Sequence, residues 1–343
     1  MEIIRPSVSL SILGQCAIHG AIQEKWKPFP NILEEFGVEV VCIENVGSLH
    51  HFEIDHQIKA KDLGSDLIPV NRTLVRLEPK CVNPTQYRKS IEKLYENIIV
   101  VSPLQKSQAN QIVWESGYLP NSTDLLKKLN WCRSIVKKPG ICFVNQNKFS
   151  FIKGELYTLR RRAINEFLAK GFAFDLAGGD WDRSKMWDLK SRLSCFKNTL
   201  INYRFMTLKG FLTWIDIKNP NLNYHGKVLD SVEFMANFRF ALIIENEASY
   251  VSEKLLNAII AGCVPIYCGP NLSEFGLPEG MAIETGLNID MMVRRFQSIS
   301  HSELEMILSV GLDWAKSIQA QERWGVENSY YRLAKLMTEI IDT

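Results

Sequence analysis

The sequence predicts an α/β protein made of two doubly wound domains, each with a mainly parallel sheet. Three observations carry that expectation. Short apolar runs at 8–13, 38–43, 72–79 and 97–103 alternate with polar or helical stretches, the pattern of βαβ units. A basic Pro-Gly hinge, VKKPG, interrupts the chain at 136–140, and the alternation then starts again. The 343 residues are enough for two domains with a real core in each.

In order along the chain, the first strand is expected at 8–13, a polar and partly helical stretch follows, and the second strand falls at 38–43. RTLVRLEP is a strand stopped by Pro79, the helical pattern at 87–95 leads to the strand NIIVVSP, and the hinge follows. Beyond it, ICFV at 141–144 is a strand, LYTLRRRAINEFLAKG a helix closed by Gly171, and FAFDLAGGD a strand. FRFALII, VPIYCG and MAIE are the later strands, with a helix over 252–261 that Ser252 is expected to cap and Gly262 to end. The segment 302–343 is helical and amphipathic; 181–227, rich in Trp, Lys and Arg, matches no element clearly. The expected domains are 1–138, 139–315 and a helical tail, 316–343, packing back on the first.

Composition excludes several classes. The net charge of +2 comes from 40 basic and 38 acidic residues, so there is no overall basic field for nucleic acid. Eight scattered cysteines form no CxxC pair and no Cys/His cluster, which argues against zinc and a disulfide framework and for a reducing compartment. VSLSILGQCAIHGA is read as a strand, not a leader, because Glu2 spoils the basic start and Gln15 and His19 break the apolar run. No run reaches the roughly 18–20 apolar residues that cross a bilayer. Neither GxGxxG nor GxxxxGK[ST] occurs, which leaves a dinucleotide oxidoreductase or a P-loop NTPase without support.

Ligands of open α/β sheets sit beyond the carboxyl ends of the strands. Glu78, Asn145, Glu245 and Asn246 all fall where an apolar strand runs out. Lys254 is the odd residue. It stands in the first turn of a helix, where the dipole makes a cation unfavourable by about 0.3–1 kcal/mol. A strongly anionic ligand would reverse that sign, and the helix's own N–H groups would add to its binding. Glu245 and Glu253 can accept hydrogen bonds from sugar or ribose hydroxyls, so the group suits a nucleoside diphosphate carrying a sugar.

The contiguous stretch FRFALIIENEASYVSEKLLNAIIAGCVPIYCGP resembles the signature of glycosyltransferase family 10, the α-1,3-fucosyltransferases. The matching groups are Phe238-Arg239-Phe240, Glu245-Asn246, Tyr250-Val251-Ser252-Glu253-Lys254 and the VPIYCG strand. RRAINEFL resembles the segment that carries the family's phosphate-binding arginine, here Arg161, with Arg160 and Arg162 as alternative registers. NRTLVRLEP resembles the strand that ends in the general-base glutamate, here Glu78. YHGKVLDSVEFMANFRF resembles the lead-in to the signature, with Ser231 where bacterial relatives often have lysine.

The resemblance implies two Rossmann-type domains facing across a cleft, the GT-B arrangement, and an inverting transfer of fucose from GDP-fucose to a glycan hydroxyl. Arg161, Glu245, Asn246, Tyr250, Glu253 and Lys254 would bind the donor, and Glu78 would take the acceptor's proton. GDP-fucose is then a co-substrate, no cofactor is required and no divalent metal is indicated. The alternatives are a GT-B transferase of another nucleotide sugar and an inactive carbohydrate-binding protein of the same fold. Animal and plant members carry an N-terminal membrane helix, and no such segment stands here. A bacterial-type cytoplasmic enzyme making surface glycans such as lipopolysaccharide O-chains is therefore expected, with at most peripheral membrane contact. Asp180 and Asp182 in DWD have the spacing of a metal-binding DxD, but they follow AGG, where the family turns out of a strand. The six histidines form no HxxxH pair; His19, after the first strand, is a candidate for the acceptor side.

Overall fold

A computed structural model describes residues 6–12, 15–16, 23–41, 50–55, 71–101, 111–182, 190, 193 and 213–342. His19 and most of 183–212 lie outside these residues. The chain divides into two compact units, Met1–Gly117 with Arg323–Thr343, and Tyr118–Glu322. The division falls before the 136–140 hinge because a helix that the sequence reading did not anticipate, Ser122–Ser134, belongs to the second unit. Its Lys128 pairs there with Asp230. The return to the first unit comes at Arg323, later than the 316 expected.

The first unit holds strands β1 (Ser7–Ile12), β2 (Gln15–Cys16), β3 (Glu39–Val41), β4 (His50–Ile54), β5 (Asn71–Arg76), β6 (Asn97–Val101) and β7 (Gln111–Trp114). Helix α1 (Phe29–Glu35) lies between β2 and β3, and α2 (Lys89–Glu92) between β5 and β6. The sheet runs β2-β1-β4-β5-β6-β7, with β3 also on β1; among the described residues only the β1–β2 pairing is antiparallel. One face is apolar: Val8, Leu10, Phe52, Ile54 and Val75 pack with Phe29 and Leu33 of α1. The C-terminal helix Val326–Ile341 adds Tyr330, Leu333 and Met337 to the same core.

The opposite face of that sheet carries a buried polar network. Ser9 Oγ lies 2.6 Å from His51 Nδ1, His51 Nε2 lies 3.2 Å from Glu53, and the Tyr95 hydroxyl donates to Glu53 at 2.6 Å. Arg72 pairs with the same carboxylate. Burial alone would raise the Glu53 pKa. The hydrogen bond and charge of His51, the charge of Arg72 and the Tyr95 hydroxyl together hold it down to about 2.

The second unit holds α3 (Ser122–Ser134), β8 (Lys138–Val144), α4 (Tyr157–Ala169), β9 (Phe174–Ala177), β10 (Leu222–Tyr224) and α5 (Ser231–Met235). It continues with β11 (Phe238–Ile244), α6 (Glu253–Ile260), β12 (Val264–Cys268), β13 (Ile283–Glu284), α7 (Ile289–Ser298) and α8 (His301–Ala315). Its sheet is parallel throughout, in the order β10-β9-β8-β11-β12-β13. Numbered from β8, that is 3-2-1-4-5-6, the doubly wound Rossmann order. The order reverses between β8 and β11, so the ligand crevice of such a sheet opens beyond Val144 and Ile244. Residues 141–143 of β8 and 240–244 of β11 are buried runs, as a sheet covered on two faces requires. Gly171 closes α4 at φ 78° and Gly262 follows α6 at φ 69°, the left-handed conformation of a helix stop.

Candidate functional site at the switch point of the second unit

The site grows from the ends of three strands. β11 ends at Ile244 and delivers Glu245 and Asn246; β8 ends at Val144 and delivers Asn145; β12 leads to Gly269. Gly269 is required by packing: a Cβ there would overlap the Tyr267 hydroxyl and stand 2.9 Å from Glu245 Cγ. Gly178, at φ 122°, is required in the same way, because a Cβ would overlap the Asn145 carbonyl.

Glu245 has no solvent exposure. One carboxylate oxygen accepts from the Ser252 N–H at 3.1 Å and the other from the Ser252 hydroxyl at 2.5 Å. Burial raises its pKa, opposed by the charge of Lys254 and the two Ser252 bonds. Ser252 stands at the position before α6, but its hydroxyl does not cap the helix as expected. It is committed to Glu245, and its oxygen accepts from Lys254 Nζ at 2.9 Å. The chain Glu245–Ser252–Lys254 thus joins the strand end to the first turn of α6. Lys254 is 17% exposed, and the exposed Glu253 carboxylate lies 3.7 Å from its ammonium. A partly desolvated cation beside helix N–H donors can meet an anion.

Asn246 is tied to the other side of the switch point. Its Oδ1 accepts from Arg160 Nη2 at 2.8 Å, and the same guanidinium donates twice to the Ile244 carbonyl, at 3.1 and 2.8 Å. Arg161 goes elsewhere. It is 1% exposed, donates to the Lys148 carbonyl at 2.9 Å and to Asn147 Oδ1 at 3.4 Å, and lies over the Phe149 ring. The run of three arginines is therefore not a solvated face: Arg160 and Arg161 are buried with Tyr157, Ile164 and Leu168, and only Arg162 is exposed. Helical spacing places them so, and it was the available signal for Arg160.

Tyr250 is buried, with its hydroxyl 3.1 Å from that of Tyr118, a partner the sequence did not suggest. Ser231 opens α5 and accepts from Asn257 at 3.2 Å. Asp180 takes a left-handed φ of 74°, and its carboxylate accepts from Gln146 at 2.7 Å; Trp181 between the two aspartates is in the core. Among the described residues, no group of three or more His, Cys, Asp or Glu side chains is placed to hold a metal ion. Glu78 belongs to the first unit. It lies just past β5, half-buried, and its carbonyl accepts from the Tyr87 hydroxyl at 3.0 Å. Among the described residues, no helix is long and apolar enough to cross a membrane.

Solved structures share this architecture along nearly the whole chain. The Anabaena protein HepE, solved with UDP and glucose, superimposes with a TM-score of 0.55 at 11% identity, covering 97% of this chain and 100% of its own. The fold is GT-B. WaaG, a glycosyltransferase involved in lipopolysaccharide biosynthesis, shares the GT-B fold with a TM-score of 0.51 at 10% identity over 97% of this chain and 99% of its own. An α,α-trehalose-phosphate synthase (UDP-forming) of Burkholderia xenovorans does so with 0.52 at 10% identity, over 93% and 78%. No protein-family model matches the chain. A fucosyltransferase-like protein of Arabidopsis thaliana is 45% identical over 108 residues, 29% of this chain and 21% of the plant protein. The match therefore spans about a fifth of that relative's length.

Proposed function

We propose that this chain is an inverting glycosyltransferase that moves fucose from GDP-fucose to a hydroxyl of a glycan acceptor. The observation that carries the reading is the Glu245–Ser252–Lys254 chain at the ligand edge of a Rossmann-ordered sheet. It sets a cation at a helix N-terminus, where a departing nucleoside diphosphate concentrates its charge. The family 10 signature and the fucosyltransferase-like relative support fucose as the sugar.

In this reading Lys254 and the first turn of α6 meet the diphosphate, and Arg161 acts as a buried positive charge behind the Asn147–Lys148 loop. Asn246, Tyr250 and Glu253 complete the donor side. Glu245, with both oxygens turned to Ser252, supports Lys254 and does not itself face a sugar. Glu78 takes the proton of the acceptor hydroxyl as it attacks C1 of fucose from the face opposite the leaving GDP, which departs with the bonding electron pair.

Thermal shift with GDP, UDP, CDP and ADP tests the donor. GDP is expected to raise Tm most, because a ligand that binds only the folded state stabilises it by mass action. The second reading, a different nucleotide sugar on the same fold, draws on HepE, which was solved with UDP and glucose. Equal or greater stabilisation by UDP would replace the first reading with the second. No stabilisation by any of the four would sink both.

A further inference from the structure

Arg160 and Asn246 meet across the reversal point of the second sheet, Arg160 from α4 after β8 and Asn246 from the end of β11. Arg160 is 2% exposed, and its guanidinium lies 4.8 Å from the centroid of the Tyr157 ring. Its two bonds to the Ile244 carbonyl hold the last peptide of β11, and the third, at 2.8 Å, holds the Asn246 side chain. Guanidinium carries donors only. The Asn246 oxygen must therefore face Arg160, which resolves the two-fold ambiguity of an amide side chain. A ligand that reaches Asn246 on its amide nitrogen meets a hydrogen-bond donor.

We propose that Arg160 is a positioning residue that turns Asn246 into a donor toward an acceptor oxygen of the bound nucleotide, such as a phosphate or base carbonyl oxygen. The assignment rests on the nucleotide-sugar reading above. It gives Arg160 a role other than the one the sequence offered it, that of an alternative register for the phosphate-binding arginine. Arg160 is bonded to protein acceptors at the strand end and acts through Asn246. The physical reason for an arginine at this point is geometric: a planar fork spans a carbonyl and an amide oxygen at once, which a lysine ammonium cannot fix in one plane.

Titration calorimetry on the full chain tests this, using whichever of GDP and UDP the wild type binds more tightly. Asn246→Ala is expected to weaken binding about tenfold, the loss of one hydrogen bond to a charged group. Arg160→Met is expected to weaken binding by a similar factor and to lower Tm. In an Asn246→Ala background, Arg160→Met should change affinity less than threefold while still lowering Tm, since its effect on binding passes through Asn246. Asn246→Asp keeps an acceptor for Arg160 and should keep Tm, yet it removes the donor and should weaken binding by more than Asn246→Ala. Two results overturn the proposal alone: Arg160→Met costing the same factor in both backgrounds, or Asn246→Asp binding as well as wild type. Wild-type protein that binds neither nucleotide overturns the nucleotide-sugar reading and this assignment together.

Discussion

Replacing Lys254 with methionine should damage the protein in two separable ways. The side chain has two roles: in the proposed function it meets the diphosphate, and in the fold its charge opposes the desolvation of Glu245, which has no solvent exposure. Breaking a buried ion pair from one side costs about 3–5 kcal/mol. Lys254 is 17% exposed and reaches Glu245 through the Ser252 hydroxyl, so about 2–3 kcal/mol is the appropriate scale. In a chain of 343 residues that is a fall in Tm of roughly 3–4 °C. The deficit has a definite pH sign. The Glu245 pKa is already raised, and loss of the lysine raises it further, so the folded state binds a proton that the unfolded state releases. Stability then falls as pH rises from the ordinary carboxyl value of 4.5 through the folded value, and Lys254→Met should recover toward wild type as pH is lowered toward 5. Adding Glu245→Gln removes the uncompensated charge and should restore most of the lost Tm at pH 7. It should not restore GDP binding, because the cation is still missing. Thermal denaturation at pH 5 and 7, with and without GDP, reads all of this on three proteins. A Lys254→Met protein with wild-type Tm at both pH values, or a double variant that regains GDP affinity, refutes the reasoning.

Two further outcomes follow from the first unit. Glu78→Gln should leave GDP affinity unchanged and reduce turnover by roughly 10²-fold or more, the loss expected for a general base. Near-full activity with saturating acceptor would move the base elsewhere, with Glu115, paired at 3.1 Å with Arg323, the next residue to substitute. Glu53, held at about 2 by His51, Arg72 and Tyr95 against its burial, should contribute up to about 3 kcal/mol above its ordinary value of 4.5. That contribution is lost as pH falls from 4.5 toward 2. Urea denaturation of wild type and Glu53→Gln at pH 7 and pH 3 should show a gap that narrows with acid; a gap independent of pH would count against the network.

Apolar patterning was enough to read most of the second sheet, because the covered parts of β8, β11 and β12 (ICFV, FALII and VPIYC) appear as apolar runs. The helix stops at Gly171 and Gly262 were legible for a local reason, since a left-handed residue after a helix favours glycine. Strand β4 was hidden, because HHFEI spends its second and fourth residues on the polar network with Ser9 and Arg72. No local pattern announces a partner on another strand. The same holds for α3, whose Lys128 finds Asp230 far along the chain.

By itself the sequence determined the α/β class, the chain position of the signature and the anomaly of a lysine in the first turn of α6, all of which depend on spacing within a few residues. Only the tertiary structure decided that Ser252 bonds Glu245 and does not cap its helix. It also decided that Arg160, and not Arg161, holds Asn246. The reason is physical. Neighbouring arginines on one helix have nearly the same local preferences, and a serine hydroxyl caps a helix or bridges to a carboxylate according to whether a backbone N–H donor or a carboxylate acceptor lies within about 3 Å. That distance is set by how β8, α4, β11 and α6 pack at the point where the strand order reverses.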